Sequence, residues 1–298
     1  MGALDDTKVR HTSGQFLGAD GTRLHLQAWL PAGPDLKIAA APSAVIAVVH
    51  GYGDHGGRYA WFGEALAARG FAVYVYDLRG HGQSSGTRGQ VGRFDEYVDD
   101  TEVFLDEVRR LQPGRPLFLL GHSMGGLICA RLAEERSPDV RGLVLSSPFF
   151  ALTEEVLPQR LLGAKLLAVV WPGKDIGNTV QAGDLSHDGA VVKAYVSDRL
   201  VHHVAPARWA VQVLKAQGAA LDDAARITLP LLLLFGTEDQ VADARYSEEV
   251  FSRAASADKT VLRYEGFYHE CFNEVGREKV YADLAAWLAE RAPAPPQA

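Results

Sequence analysis

The stretch that most constrains this chain is Pro116 to Gly126, where the apolar run Leu117-Phe118-Leu119-Leu120 leads directly into Gly121-His122-Ser123-Met124-Gly125. A short apolar strand, a Gly-x-Ser-x-Gly turn and a helix-like segment, Met124 to Arg136, follow one another without a break. That succession is a strand, a nucleophile elbow and a helix, the arrangement that presents a reactive serine. The elbow turns so tightly that its flanking positions must be nearly without side chains, and Gly121, Gly125 and Gly126 meet that need. Ser123 is expected at the carboxyl edge of a parallel sheet, free to attack an acyl carbon. The pattern by itself does not select it, because Gly82-Gln83-Ser84-Ser85-Gly86 matches as well. There, however, Arg79-Gly80-His81 separates the motif from the preceding apolar run, and Thr87 to Gly92 is loop-like. Context therefore assigns Ser84 to a polar loop and the nucleophile to Ser123.

Around this elbow, apolar strands alternate with helices. Thr12 to Leu17 and Arg23 to Leu30 read as two strands joined by the turn Ala19-Asp20-Gly21-Thr22. Further strands are expected at Ala44 to His50, Phe71 to Asp77, Pro116 to Leu120, Leu143 to Ser146, Leu231 to Phe235 and Thr260 to Tyr264. Helices are expected at Trp61 to Arg69, Phe94 to Leu111, Ala244 to Ala254 and Arg277 to Arg291. Continuous apolar strands between helices mean an α/β fold with a mostly parallel sheet covered on both faces. The block from about 149 to 228 breaks the alternation and reads as a helical cap inserted between two parts of the core, 1–148 and 229–292, with a disordered tail at 293–298. Within the cap, Glu154 to Leu167 and Ala190 to Asp198 are helix-like. Leu161 to Trp171 is apolar almost all round, which suits either a buried helix or an apolar wall for an acyl chain that also touches membrane.

Composition narrows the partners. The net charge of −7, without a basic stripe, argues against a nucleic-acid partner. The two cysteines, Cys129 and Cys271, give no disulfide framework. With no signal-peptide pattern at the start and no run long enough to span a bilayer, the expectation is a cytoplasmic protein able to sit peripherally on a membrane. No metal motif such as His-Glu-x-x-His occurs and no cofactor is expected.

A serine hydroxyl needs a base within hydrogen-bond reach, and the base needs an orienting acid. In folds with this elbow the chain order is Ser, then Asp or Glu, then His. Among ten histidines only His269 lies beyond the last expected strand. The acid belongs after Leu231 to Phe235, where Asp239 is favoured and Glu238 and Asp243 compete; Asp243, close to a helix start, has capping as an alternative role. The oxyanion hole needs two backbone N–H groups. Met124, after the nucleophile, supplies one, and Tyr52 in His50-Gly51-Tyr52-Gly53 is expected to supply the other. Asp54 and Arg58 are expected to pair and hold this loop, and Asp77 and His81 to make structural hydrogen bonds.

Taken together, His50 to Tyr59, Asp77 to Gly86, Gly121 to Gly126, Gly236-Thr237-Glu238-Asp239 and Tyr264 to His269 resemble, in order, the monoacylglycerol lipase and lysophospholipase-like branch of the α/β-hydrolases. The resemblance covers nearly the whole chain outside the cap. It implies the α/β-hydrolase fold with an eight-stranded sheet, Asp239 as the triad acid, Tyr52 and Met124 as oxyanion donors, and a cap over a tunnel for one acyl chain. The implied substrate is a lipid ester, with a monoacylglycerol cleaved to glycerol and fatty acid. A lysophospholipase, a short-chain carboxylesterase, a thioesterase and an acyltransferase are the enzymatic rivals, and a ligand-binding receptor on the same fold is the non-enzymatic one.

Overall fold

The structure, a computed structural model, describes residues 9–33, 40–153, 158–177 and 180–292. The tail expected at 293–298 and the start of the helix expected from Glu154 lie outside these residues. An antiparallel hairpin, β1 (Val9–Leu17) and β2 (Arg23–Pro31), opens the chain. It is followed by β3 (Val45–Val49), β4 (Ala72–Tyr76), β5 (Leu117–His122), β6 (Leu143–Ser146), β7 (Leu231–Gly236) and β8 (Lys259–Tyr264). They form one eight-stranded sheet in the order β1-β2-β4-β3-β5-β6-β7-β8, parallel from β4 to β8.

The central strands read as unbroken apolar runs because both their faces are covered. On one face Val45, Ala47 and Val49 join a core with α2 (Asp95–Leu111) and α3 (Met124–Arg136). On the other, Ile46 and Val48 meet α1 (Ala60–Ala67) and α8 (Arg277–Arg291). The register brings Val49 beside Gly121 and Ser146 beside His122, so the carboxyl ends of β3, β5 and β6 converge on one place. The second Gly-x-Ser-x-Gly stretch is indeed a polar loop: the Ser84 hydroxyl donates to the Asp77 carbonyl and accepts from the His25 N–H, stitching the loop to β2.

Between β6 and β7 the chain forms α4 (Pro158–Val170), α5 (Gly189–Ser197) and α6 (Ala207–Asp223). The sequence pattern did not single out α6, because Arg208, Lys215, Gly218 and Asp222 interrupt its apolar positions. Its buried residues Ala207, Val211, Ala216 and Ala220 nevertheless follow a helical period, and it packs on both α3 and α4. Helix α4 is not buried all round. Leu161, Ala164 and Leu167 face a cavity, whereas Leu162, Leu166 and Val169 are 70%, 64% and 78% exposed.

One buried charge cluster joins the hairpin to the rest. Arg79 donates from Nε and Nη2 to the two carboxylate oxygens of Asp100, at 2.7 and 2.9 Å, and from Nη1 to Asp20 and Glu96. Asp100 is wholly buried and also accepts from the Ala19 N–H. Removing one partner of such a pair leaves the other charge stranded. Asp100→Ala is therefore expected to cost about 3 kcal/mol, read as a lowered urea midpoint.

Candidate active site

The last residues of β5 and the first of α3 pass so close that the turn admits no side chain at positions 121 and 125. A Cβ added at Gly121 would lie 2.3 Å from the Gly125 carbonyl oxygen, and one at Gly125 would lie 2.0 Å from that of Val49. Ser123 itself has φ +53, a conformation that costs a non-glycine residue roughly 1–3 kcal/mol and persists only where its surroundings impose it. Here its N–H donates to the Ser146 carbonyl at 3.0 Å, and its own carbonyl accepts from Gly126 and Phe149 at 2.9 and 3.0 Å. Strand β6, the segment that follows it and the first turn of α3 thus hold the strained residue.

His269 stands in the loop after β8 and Asp239 in the loop after β7. The His269 Nδ1 lies 2.8 Å from an Asp239 carboxylate oxygen, and both side chains are almost wholly buried. The other Asp239 oxygen accepts from the Val241 and Ala242 N–H groups at 2.8 and 3.0 Å. An ionised Asp239 thereby fixes the tautomer with the proton on Nδ1 and leaves Nε2 bare. Ser123 and His269 line the same cavity. Of the competing carboxylates, Glu238 is exposed, and Asp243 caps α7 (Ala244–Arg253) by accepting from the Arg245 N–H. Burial disfavours charge on His269, but the Asp239 carboxylate outweighs it and raises the imidazole pKa above its ordinary value. His122, its ring 4.9 Å from that of His269, is pushed down to about 4 by burial and by His269, and stays neutral.

The loop after β3 closes on the elbow. A Cβ at Gly51 would sit 3.2 Å from that of Ser123. The His50 ring donates from Nδ1 to the Gly51 carbonyl and accepts at Nε2 from the Leu78 N–H, which ties this loop to the one after β4. Gly51, Tyr52 and Met124 line the cavity, and among the described residues neither the Tyr52 nor the Met124 N–H donates to a protein acceptor. Asp77 accepts from the Gly56 and Gln83 N–H groups, and His81 bonds the Arg79 carbonyl, the structural roles expected of them.

The cavity, of about 500 Å³, is lined by two chemically distinct sets of side chains. Its wall is apolar where Leu161 and Leu167 of α4 face Val213 and Leu214 of α6. Elsewhere on the lining Arg58 binds Glu270 through two hydrogen bonds, 2.8 and 2.7 Å, and Asp54 at 3.0 Å, beneath the Tyr195 ring. The sequence reading paired Asp54 with Arg58 and overlooked Glu270, although its place beside His269 put it within reach. Among the described residues no group of three or more His, Cys, Asp or Glu side chains is arranged to hold a metal ion.

A family profile described as serine aminopeptidase, S33, matches residues 40–276. The chain is 32% identical to a monoacylglycerol lipase of Mycolicibacterium smegmatis over 286 residues, 96% of this chain and 98% of that protein. It is 34% identical to monoglyceride lipase of Homo sapiens over 280 residues, 93% of this chain and 90% of that one. The crystal structure of Paleococcus ferrophilus monoacylglycerol lipase matches with a TM-score of 0.76 at 30% identity, covering 95% of this chain and 99% of that one.

The His269–Asp239 geometry sets a pH dependence for any reaction in which His269 must accept a proton. Labelling of Ser123 by a fluorophosphonate is expected to rise with pH along a limb lying above the ordinary histidine value of about 6.5. Asp239→Asn removes the charge that favours imidazolium, so the limb moves to lower pH. The plateau rate falls as well, by roughly 10⁴-fold. An unchanged limb in Asp239→Asn, followed by mass spectrometry across pH, would contradict the pairing.

Proposed function

Because the chain belongs to the serine aminopeptidase S33 family of α/β-hydrolases, within the branch that includes the monoacylglycerol lipases, we propose that it cleaves monoacylglycerols to a fatty acid and glycerol. Enzymes of this branch are serine ester hydrolases, and the observation that carries the finer reading is one cavity lined by both an apolar and a charged set of side chains, with Ser123 and His269 on its wall. The acyl chain lies along Leu161, Leu167, Val213 and Leu214, in a segment that acts as a cap, and the glycerol faces Asp54, Arg58 and Glu270. One guanidinium there is offset by two carboxylates, so this charged set repels an anionic phosphodiester and suits a neutral polyol. That balance favours a monoacylglycerol over a lysophospholipid.

In this reading the Ser123 Oγ attacks the ester carbonyl carbon while His269 Nε2 takes its proton. The Tyr52 and Met124 N–H groups stabilise the oxyanion of the tetrahedral intermediate. His269 then gives the proton to the glycerol oxygen as the C–O bond breaks, leaving an acyl-Ser123. Water, deprotonated by His269, attacks the acyl carbon, and collapse of the second intermediate releases the fatty acid and returns the proton to Ser123. Asp239 stays ionised throughout and stabilises the imidazolium. No cofactor enters these steps.

Access from a lipid surface is part of the proposal. No helix among the described residues is long and apolar enough to cross a membrane. Leu162, Leu166 and Val169 instead form an exposed apolar stripe on the outer side of α4, continued by Val170 and Trp171. Two free, buried cysteines suit a reducing cytoplasm, with the cap touching lipid transiently.

Hydrolysis of a 1-monoacylglycerol series from short to long chains is expected to peak at medium or long chains and to vanish in Ser123→Ala, with the fold intact by circular dichroism. Activity confined to short soluble esters would replace this reading with a general carboxylesterase. Leu166→Glu with Val169→Glu is expected to weaken vesicle co-sedimentation and slow turnover of emulsified substrate several-fold, leaving a soluble short ester unaffected; equal binding to vesicles would remove the membrane contact.

A further inference from the structure

We propose that Trp209, on the first turn of α6, is a positioning residue that holds the oxyanion hole in its working shape. The inference rests on the oxyanion roles of Tyr52 and Met124 given above. One indole touches the side chains of both residues. Its ring stacks on that of Tyr52, with centroids 3.7 Å apart and planes inclined by 21°. Its Nε1–H points at the Met124 sulfur, 3.4 Å away. Met124 is fully buried and already fixed as the first residue of α3. Tyr52 is different. It lies between Gly51 and Gly53, two residues with no side chains to define the path of the backbone, so the Tyr52 ring is the handle by which this part of the loop can be held.

Among the described residues, the hydrogen-bond and ring partners of that handle come from outside the loop. The Tyr52 hydroxyl lies 3.0 Å from both the Gly89 and the Val204 carbonyl oxygens. The His81 and His202 rings meet it edge-on, each with its centroid 5.1 Å from that of Tyr52. The neighbouring Gly53 carbonyl accepts from the His202 N–H at 3.0 Å. Among the described residues Trp209 supplies the one face-to-face contact, and it does so from the helix that also forms part of the apolar wall of the cavity. A donor N–H contributes to the transition state only if it is aimed before charge develops, and losing one such donor typically lowers turnover by about 10²–10³-fold. Loosening the ring that aims it has a smaller effect of the same kind: it weakens transition-state binding and leaves ground-state binding alone.

The test uses the full chain with p-nitrophenyl acetate, whose acyl group is too short to need the α4–α6 wall. Trp209→Leu keeps apolar bulk and removes the aromatic face. It is expected to lower kcat by about 10-fold or more while KM stays within about 3-fold, and to weaken a trifluoromethyl ketone, which mimics the tetrahedral intermediate, by the same factor as kcat/KM. Trp209→Phe, which restores a stacking ring, is expected to recover most of the loss. Tyr52→Leu is expected to show the same kcat defect, and the double variant to be little worse than either single one, because both remove one coupled contact. Trp209→Leu at wild-type kcat and ketone affinity, a loss confined to KM, or additive single effects would each overturn the proposal. If Trp209→Leu does not fold, Tyr52→Leu and Trp209→Phe still decide it: wild-type kcat in Tyr52→Leu, or a Phe variant losing as much as 10-fold in kcat, sinks the clamp. Hydrolysis that survives in Ser123→Ala would instead overturn the underlying reading of the site, an outcome separable from failure of the clamp alone.

Discussion

The site depends on how closely three parallel strands and one helix approach one another at Ser123. The Val49 carbonyl of β3, the Gly121 backbone of β5 and the Gly125 backbone of α3 lie at distances that exclude even a methyl group. Interiors are packed to crystal density, so a misfit of this size has nowhere to relax. The same closeness lets β6 and the segment that follows it grip the strained serine through the Ser146 carbonyl and the Phe149 N–H. The strain at Ser123 is thus sustained by the most deeply buried part of the sheet, and the hydroxyl is presented by the fold itself.

Charge is distributed with equal economy. The His269–Asp239 pair is sealed from solvent, with the second Asp239 oxygen bonded to two backbone N–H groups, so the carboxylate remains ionised where an isolated one would take up a proton. Arg58, Glu270 and Asp54 form a second set that satisfies itself internally. The rest of the cavity wall is largely apolar, and a low local dielectric strengthens whatever electrostatic contact a reacting ester makes.

Much of this was legible in the sequence, for physical reasons. Strands β3 to β7 are covered on both faces, so they appear as uninterrupted apolar runs and were placed within a residue or two. The glycines around Ser123 announce a contact no other residue permits. Asp239 was harder for spacing alone: Glu238 and Asp243 stand on the same loop, the family resemblance points to Asp239, and in the structure the pairing with His269, the exposure of Glu238 and the capping by Asp243 set it apart. Helix α6 escaped because its charged residues and Gly218 blur the apolar period. The outward-facing stripe of α4 was open because an apolar helix at a cavity mouth and one in a core have the same composition. The stacking of Trp209 on Tyr52 joins residues far apart in the chain, and no local pattern carries such a contact.

The bond from the His202 N–H to the Gly53 carbonyl, with the Tyr52 hydroxyl against Val204, has a bearing on how such proteins diversify. A segment inserted between two strands looks like an exchangeable module, to be traded between relatives to alter what the enzyme accepts. Here the module is latched to the loop from His50 to His55, and the His202 carbonyl occupies the space that a side chain at position 53 would fill. A transplanted segment would arrive without the matching latch. In this chain, exchanging the inserted helices without the β3 loop therefore breaks these contacts, so the two have to be changed together even where Ser123, Asp239 and His269 are all kept.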